Sequence, residues 1–204
     1  MSETKKSKVR EYAETLIIAL LIALFVRTFV VQAFKIPSGS MEPTLLVGDH
    51  LLVNKFIYGI RIPMIGKKIV QFSEPERGDV IVFVPPHERK KDFIKRVIGL
   101  PGEKVEIKER KIYINDRLIE DPWGVFTKDN PSASLDNYGP EKVPPDSLFV
   151  MGDNRDNSQD SRYWGFASLD DVLGKAFIMY WSWDWDARSL VSRVRWNRIG
   201  SLIR

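Results

Sequence analysis

Residues 105–121 read VEIKERKIYINDRLIED, and their alternation decides the fold class. Val105, Ile107, Ile112 and Ile114 alternate with polar neighbours, and the pattern breaks at Glu109-Arg110 and again at Asn115-Asp116. A period of two puts one set of side chains on a covered face and the other in water. Two-residue polar breaks between such runs are hairpin turns. The segment predicts a β-ribbon.

The flanking sequence extends the same reading. Asp49 to Lys55 is a short apolar run after the Gly48-Asp49 turn signal. Arg77-Gly78-Asp79 precedes VIVFV, which Pro85-Pro86 stops, and Phe93 to Leu100 is closed by Leu100-Pro101-Gly102. Residues 121–147 are rich in Pro, Gly, Asn, Asp and Ser and predict a long surface excursion. Order returns at LFVMG, residues 169–175 predict a turn or short helix, and Ala176 to Trp183 is the last strand. There is no internal repeat. The expectation is a mainly β, antiparallel domain with residues 103–147 inserted as a ribbon or cap.

Composition bounds the rest. A chain of 204 residues holds one ordinary domain plus appendages, and 44% apolar residues support a core. With 28% charged residues it is not wholly membrane-embedded, and a net charge of +4 gives no argument for nucleic acid. The absence of cysteine excludes disulfides and thiolate metal sites.

The N-terminus presents a fork. Lys5, Lys6, Lys8 and Arg10 precede LIIALLIALFV, residues 16–26, which carries no polar side chain before Arg27. With Val31-Gln32-Ala33 as a cleavage site, this describes a removable signal peptide. It equally describes a membrane helix over residues 13–33, behind a basic tail at 1–12, with Arg27 snorkelling to the far interface. In either case the cations keep the N-terminus cytoplasmic and put Phe34 onward outside.

Three polar islands carry the candidate chemistry. The first is PSGSMEPTL, residues 37–45. Serines in such turns are usually turn residues. Yet Ser40 is a potential nucleophile whose own N–H, with the Ser38 hydroxyl, would form a local oxyanion hole. A serine needs a base. His50 and His87 are the chain's two histidines, and counting alone leaves a Ser-His-Asp triad open. The second island offers another base: in DFIKRVIGLPG, Lys95 and Arg96 interrupt an apolar strand. A desolvated lysine loses its proton more readily, whereas arginine keeps its charge. The alternative is a strand-end lysine that reaches water. The third island is GDNRDNSQDSR, residues 152–162. Neither register starting at Asp153 or Asp156 supplies the glycine and glutamate of a calcium loop. A solvated loop is one reading; a hydrogen-bonded network holding a buried amine is the other.

Taken in order, PSGSMEPTL, RGDVIVF (77–83), IKRVIGLPGE (94–103) and GDNRDNSQDSRYWGF (152–166) resemble the signature boxes of the bacterial type I signal peptidases. The resemblance runs from the apolar segment to Gly174 and agrees with the antiparallel β expectation. It implies that Ser40 is the nucleophile and Lys95 the general base of a Ser–Lys dyad. It implies that Ser38 and the Ser40 N–H form the oxyanion hole, that Ser158 orients the lysine, and that Asp160 and Arg162 form a supporting pair with Asp153 in their network.

The resemblance also turns the fork towards an uncleaved anchor in the bacterial cytoplasmic membrane, with residues 34–204 as an extracytoplasmic catalytic domain. Six residue steps from Phe34 to Ser40 span at most ~20 Å, so the serine would stay near the membrane surface. The implied reaction removes signal peptides from exported preproteins after Ala-x-Ala. The substrate would pair with strand edges at Phe34–Ser38, including Pro37, and at Asp92–Ile94, against shallow pockets of Ile36, Met41, Leu45, Phe93 and Ile94. The implied enzyme is a monomer with no metal, cofactor or nucleic-acid partner. The alternatives are a peptidase dedicated to one export or pilus system and a non-catalytic tethered scaffold. Clipping at Ala33 by the enzyme itself stays open. In the tail, residues 181–204, Trp181, Trp183 and Trp185 alternate and Trp196 lies among Arg193, Arg195 and Arg198. They suit either a membrane-interface surface or the edge of a core.

Overall fold

The computed structural model describes residues 8–61, 68–70, 72–127, 136–187, 189 and 191–204. The chain opens with helix α1 (Lys8–Phe25) and one π-type turn over Val26–Val30. Strands β1 (Val31–Lys35), β2 (Asp49–Asn54), β3 (Ile60–Arg61), β4 (Lys68–Val70), β5 (Val80–Phe83) and β6 (Phe93–Gly99) follow. After them come β7 (Lys104–Lys108), β8 (Lys111–Ile114), β9 (Arg117–Leu118), β10 (Tyr138–Lys142) and β11 (Ser147–Met151). A one-turn helix α2 (Ser161–Trp164) leads into β12 (Ala167–Ser168) and the long β13 (Val172–Ser182).

The main sheet has the order β1-β2-β13-β5-β6-β11-β12, and its neighbours run antiparallel. Strand β5 shows why the VIVFV run does not alternate. Val80 and Val82 face one core cluster with Met41, Leu45, Leu51 and Val53, while Ile81 and Phe83 face a second with Val97, Leu148 and Val150. A strand covered on both faces needs apolar residues at every position.

The ribbon folds as its alternation predicts, into a second sheet of order β10-β7-β8-β9. Val105 lies opposite Ile114 and Ile107 opposite Ile112, all on one face against Ile98, Phe149 and Met151. Each side chain so buried contributes about 1.5–3 kcal/mol. The polar breaks are the turns: Glu109, Arg110, Asn115 and Asp116 all have positive φ. Asn and Asp tolerate that region, whereas Glu and Arg do so poorly. The 109–110 turn is tied down by Asn137, whose Oδ1 accepts from the Glu109 N–H at 3.1 Å, and by the Asp136 carbonyl, which accepts from the Arg110 N–H.

Three expectations need correction. Residues 121–147 are not all excursion: Tyr138–Lys142 form β10 against β7, and Val143 is buried. The outer positions of β10 are exposed, so its sequence carries no alternation. The region 169–175 is a 3-10 turn only to Asp171, after which β13 continues through Gly174 with a shift of register against β5 between Val172 and Gly174. That glycine is a close approach and not a break, since a Cβ there would lie 2.4 Å from the Asn54 carbonyl oxygen. Lastly, the expected membrane helix over 13–33 ends early. Val31, Gln32 and Ala33 pair with Asn54, Val53 and Leu52 as part of β1, because the open edge of β2 captures their backbone.

Helix α1 has no buried residue and is exposed apart from half-buried Glu14. Lys8, Arg10, Glu11 and Glu14 occupy its first turns, and the apolar residues 16–25 rise only about 15 Å. Among the described residues no helix is long and apolar enough to cross a membrane.

Candidate active site

Ser40 sits in the 3-10 turn Gly39–Met41, between β1 and β2, and Lys95 is the third residue of β6. The lysine is 4% exposed, and its Nζ donates a hydrogen bond to Ser40 Oγ at 2.6 Å. Burial pushes the Lys95 ammonium down to about 8, against the opposing pull of Asp160 and Asp153. A neutral amine touching a serine hydroxyl can accept its proton, which is the requirement of a general base.

The turn is held from behind by the loop that leaves β11. The Asn154 N–H donates to the Ser40 carbonyl at 3.2 Å, and Asn154 Nδ2 donates to the Gly39 carbonyl at 3.1 Å. Gly152 makes this approach possible: a Cβ there would lie 2.3 Å from both the Ser40 carbonyl oxygen and Ser158 Oγ. Two buried ion pairs flank the lysine. Arg96 Nε and Nη2 reach the two oxygens of Asp153 at 2.8 and 2.6 Å. Arg162 Nε and Nη2 reach those of Asp160 at 2.8 Å each, and Asp160 also accepts from the Gly152 N–H. Such two-pronged contacts fix geometry as well as charge.

The predicted residues divide into those that converge and those that do not. Pro37, Ser38 and Ser40 form one wall of a cleft of about 520 Å³; Asp92, Phe93, Ile94 and Lys95 form the other, with Lys91, Asn157 and Gln159 at its rim. Burial pushes the Asp92 carboxyl up. Ile36, Met41 and Leu45 do not line it. They are buried in the core beneath the turn, where half-buried Phe34 also packs, because a turn of small polar residues needs apolar anchors below it. Ser158 is buried beside the turn, yet its Oγ has no hydrogen-bond partner; it lies against Gly152, and the expected bond to Lys95 is not made. Asp153 does not join the Asp160–Arg162 pair. It holds Arg96, the cation next to Lys95, because adjacent residues on a strand point to opposite faces.

Both histidines lie outside the cleft. His50 contacts Tyr180, and His87 packs against Phe93 and Trp164. Sequence reasoning missed Thr44, whose Oγ1 donates to Asp153 at 2.6 Å, and Arg155, buried against Asp121 with Nη2–Oδ1 at 2.8 Å. Arginine inside an Asp/Asn-rich run signals such pairing; the partner at Asp121, 34 residues away, carries no local signal. The tail arginines are engaged within the chain. Arg195 and Arg198 both approach Asp49, at 3.9 and 2.7 Å, while Trp185 and Trp196 remain exposed.

These features coincide with a known family. Residues 9–181 match the model of the signal peptidases, peptidase S26. Signal peptidase I of Pseudomonas fluorescens is 39% identical over 85% of this chain and 72% of its own length. A probable signal peptidase I-2 of Synechocystis is 40% identical over 84% of this chain and 72% of its own. Signal peptidase I of Aquifex aeolicus is 34% identical over 85% and 84%. The chain belongs to the signal peptidase family, peptidase S26.

Proposed function

We propose that this chain removes N-terminal signal peptides from exported preproteins, cutting after small residues at P1 and P3, with Ser40 as nucleophile and Lys95 as general base. The contact of Lys95 Nζ with Ser40 Oγ at 2.6 Å, in a site that lowers the ammonium to about 8, carries the reading. Neutral Lys95 takes the hydroxyl proton as Ser40 Oγ attacks the scissile carbonyl carbon. The Ser40 N–H and the Ser38 hydroxyl receive the oxyanion. The lysine ammonium then protonates the leaving amine, freeing the mature protein and leaving the signal peptide esterified to Ser40. A water, deprotonated by the same lysine, hydrolyses the ester.

Open strand edges support binding of the substrate as an extra strand. β1 ends the main sheet, and β11 pairs with β6 only from Arg96 onward, leaving Phe93–Lys95 free on that side. A segment laid between them would present alternate side chains to the cleft. The exposed apolar side chains of α1, with the cations ahead of them, support anchoring of the catalytic part in the bacterial cytoplasmic membrane, N-terminus inside. A single-pass span requires residues 26–33 to leave the π-type turn and β1 and lengthen the helix. We read the enzyme as a monomer.

The test is mass-resolved cleavage of an Ala-x-Ala preprotein in detergent. Wild type releases the mature chain cut after the P1 alanine, whereas Ser40→Ala and Lys95→Met each lose about 10⁴-fold or more in kcat. Wild-type kcat/KM rises with pH through about 8, as Lys95 loses its proton. Cleavage by folded Lys95→Met at near wild-type rate overturns the assignment of the base.

A further inference from the structure

The chain beyond β13 lies past residue 181, where the family match ends, yet it reaches both halves of the Ser40–Lys95 pair. Beyond Trp183 it doubles back along β13, with bridges Trp183–Val194 and Ile178–Leu202. Ile203 enters the core cluster that contains Met41 and Leu45, directly under the Ser40 turn. The Arg204 backbone oxygen accepts from Arg96 Nη1 at 3.0 Å, beside Lys95. Arg198 makes the central contact: its Nη2 donates to the Thr44 carbonyl at 2.8 Å and to Asp49 Oδ2 at 2.7 Å.

Resting on the dyad reading above, we propose that Arg198 is a positioning residue, clamping the loop that carries Ser40 so that the hydroxyl stays on Lys95. Thr44 is the point where the clamp bears. On one side it belongs to the tight turn after Ser40, closed by the Leu45 N–H donating to the Met41 carbonyl at 2.9 Å. On the other, its hydroxyl donates to Asp153, which holds Arg96. A shift of Thr44 is therefore passed to the nucleophile through the turn and to the base strand through Asp153.

Neutralising Asp49 does not by itself account for Arg198. That carboxylate, fully buried, also accepts from Ser182 Oγ at 2.6 Å and from the Leu46 N–H at 2.7 Å, with Arg195 at 3.9 Å. What Arg198 adds is a donor to a backbone carbonyl of the nucleophile loop. Its fork serves three oxygens at once, Nε on Asp49 Oδ1 at 3.2 Å and Nη2 on Asp49 Oδ2 and the Thr44 carbonyl; the single nitrogen of a lysine does not hold that set in the same geometry.

The experiment compares wild type, Arg198→Lys, Thr44→Val and Arg198→Met in the full chain, at a temperature where each variant used is folded by circular dichroism. Arg198→Lys and Thr44→Val are expected to lose about tenfold to a hundredfold in kcat with KM little changed, as displacement of a reacting group by an ångström does. The acid limb of kcat/KM should also move to higher pH, because a lysine that has lost the serine hydroxyl and admitted water is ionised more easily. A residue that merely stabilises the fold moves neither. Folded Arg198→Lys and Thr44→Val with wild-type kcat and an unmoved acid limb overturn the proposal, and Arg198→Met, where it folds, must agree with them. Ser40→Ala, run alongside, separates the two readings: if it still cleaves, the dyad assignment fails, whatever the tail variants do.

Discussion

Helix α1 and the loop at 152–162 invert the usual distribution of side chains, in opposite senses. In α1 the leucines and isoleucines stand in the open, with Leu16 71% and Leu21 61% exposed. In the loop Asp153, Arg155 and Asp160 are fully buried, and Asp156 and Arg162 nearly so. The difference lies in what each segment finds within the chain. Every buried arginine around the site meets a carboxylate: Arg96 with Asp153, Arg155 with Asp121, Arg162 with Asp160. The leucines and isoleucines of α1 are left exposed by the chain, and the proposed membrane anchoring would give them a hydrocarbon partner. Composition tells which groups need a partner; only the fold tells whether the chain supplies it.

That contrast can be broken most severely at a buried pair. Asp153→Ala strands Arg96, which has no solvent access, and should lower stability by about 3–5 kcal/mol, read from the urea midpoint. A small loss would mean that the Gly78 and Arg204 carbonyls alone satisfy the guanidinium. Lys95 tests the converse, a buried cation held against a serine hydroxyl and not a carboxylate. Its folded value of about 8, against 10.5 when free, means that the unfolded chain binds the extra proton between those pH values. Stability from this group therefore rises with pH across that window, and below it the full penalty of roughly 3 kcal/mol stands. Lys95→Met should be more stable than wild type by about that amount at pH 7, with the gap closing above pH 8.

The helix gives smaller effects. Leu21→Ser should weaken partitioning into lipid vesicles by about 2 kcal/mol while leaving cleavage in detergent unchanged. Unaltered flotation with vesicles would show that the exposed leucines of α1 are not what binds lipid. Smallest of all, Glu14→Gln removes the exposed Arg10–Glu14 pair at 3.0 Å and should change melting by an amount within about 0.5 kcal/mol.

Local pattern carried most of the fold. The alternation at 105–114 and the doubly covered VIVFV run are properties of a few consecutive residues, and the sheets follow them. Ser40 and Lys95 stand out as candidates by residue type, but each alone is a weak signal; their roles come from the ordered family boxes in which they lie. What escaped depends on residues far apart or on faces with no periodic signal. β10 is exposed along its outer positions and so reads as loop. Residues 169–175 read as a turn or short helix, although β13 already runs through Gly174, whose missing side chain lets it approach Asn54. The bulky residues beside the serine read as pocket walls, yet Met41 and Leu45 anchor the turn from below. The Asp153–Arg96 pairing was hidden because a strand sends neighbouring cations to opposite faces, one to the serine and the other to the carboxylate.

Gly152 has a consequence outside structural chemistry. The space where a side chain would begin is already filled by the Ser40 carbonyl oxygen and the Ser158 hydroxyl. In a screen for loss of secretion, codon 152 should therefore yield null alleles as readily as codon 40, with every missense change among them. A geneticist mapping the gene would find two equally intolerant codons, of which only one encodes the proposed nucleophile.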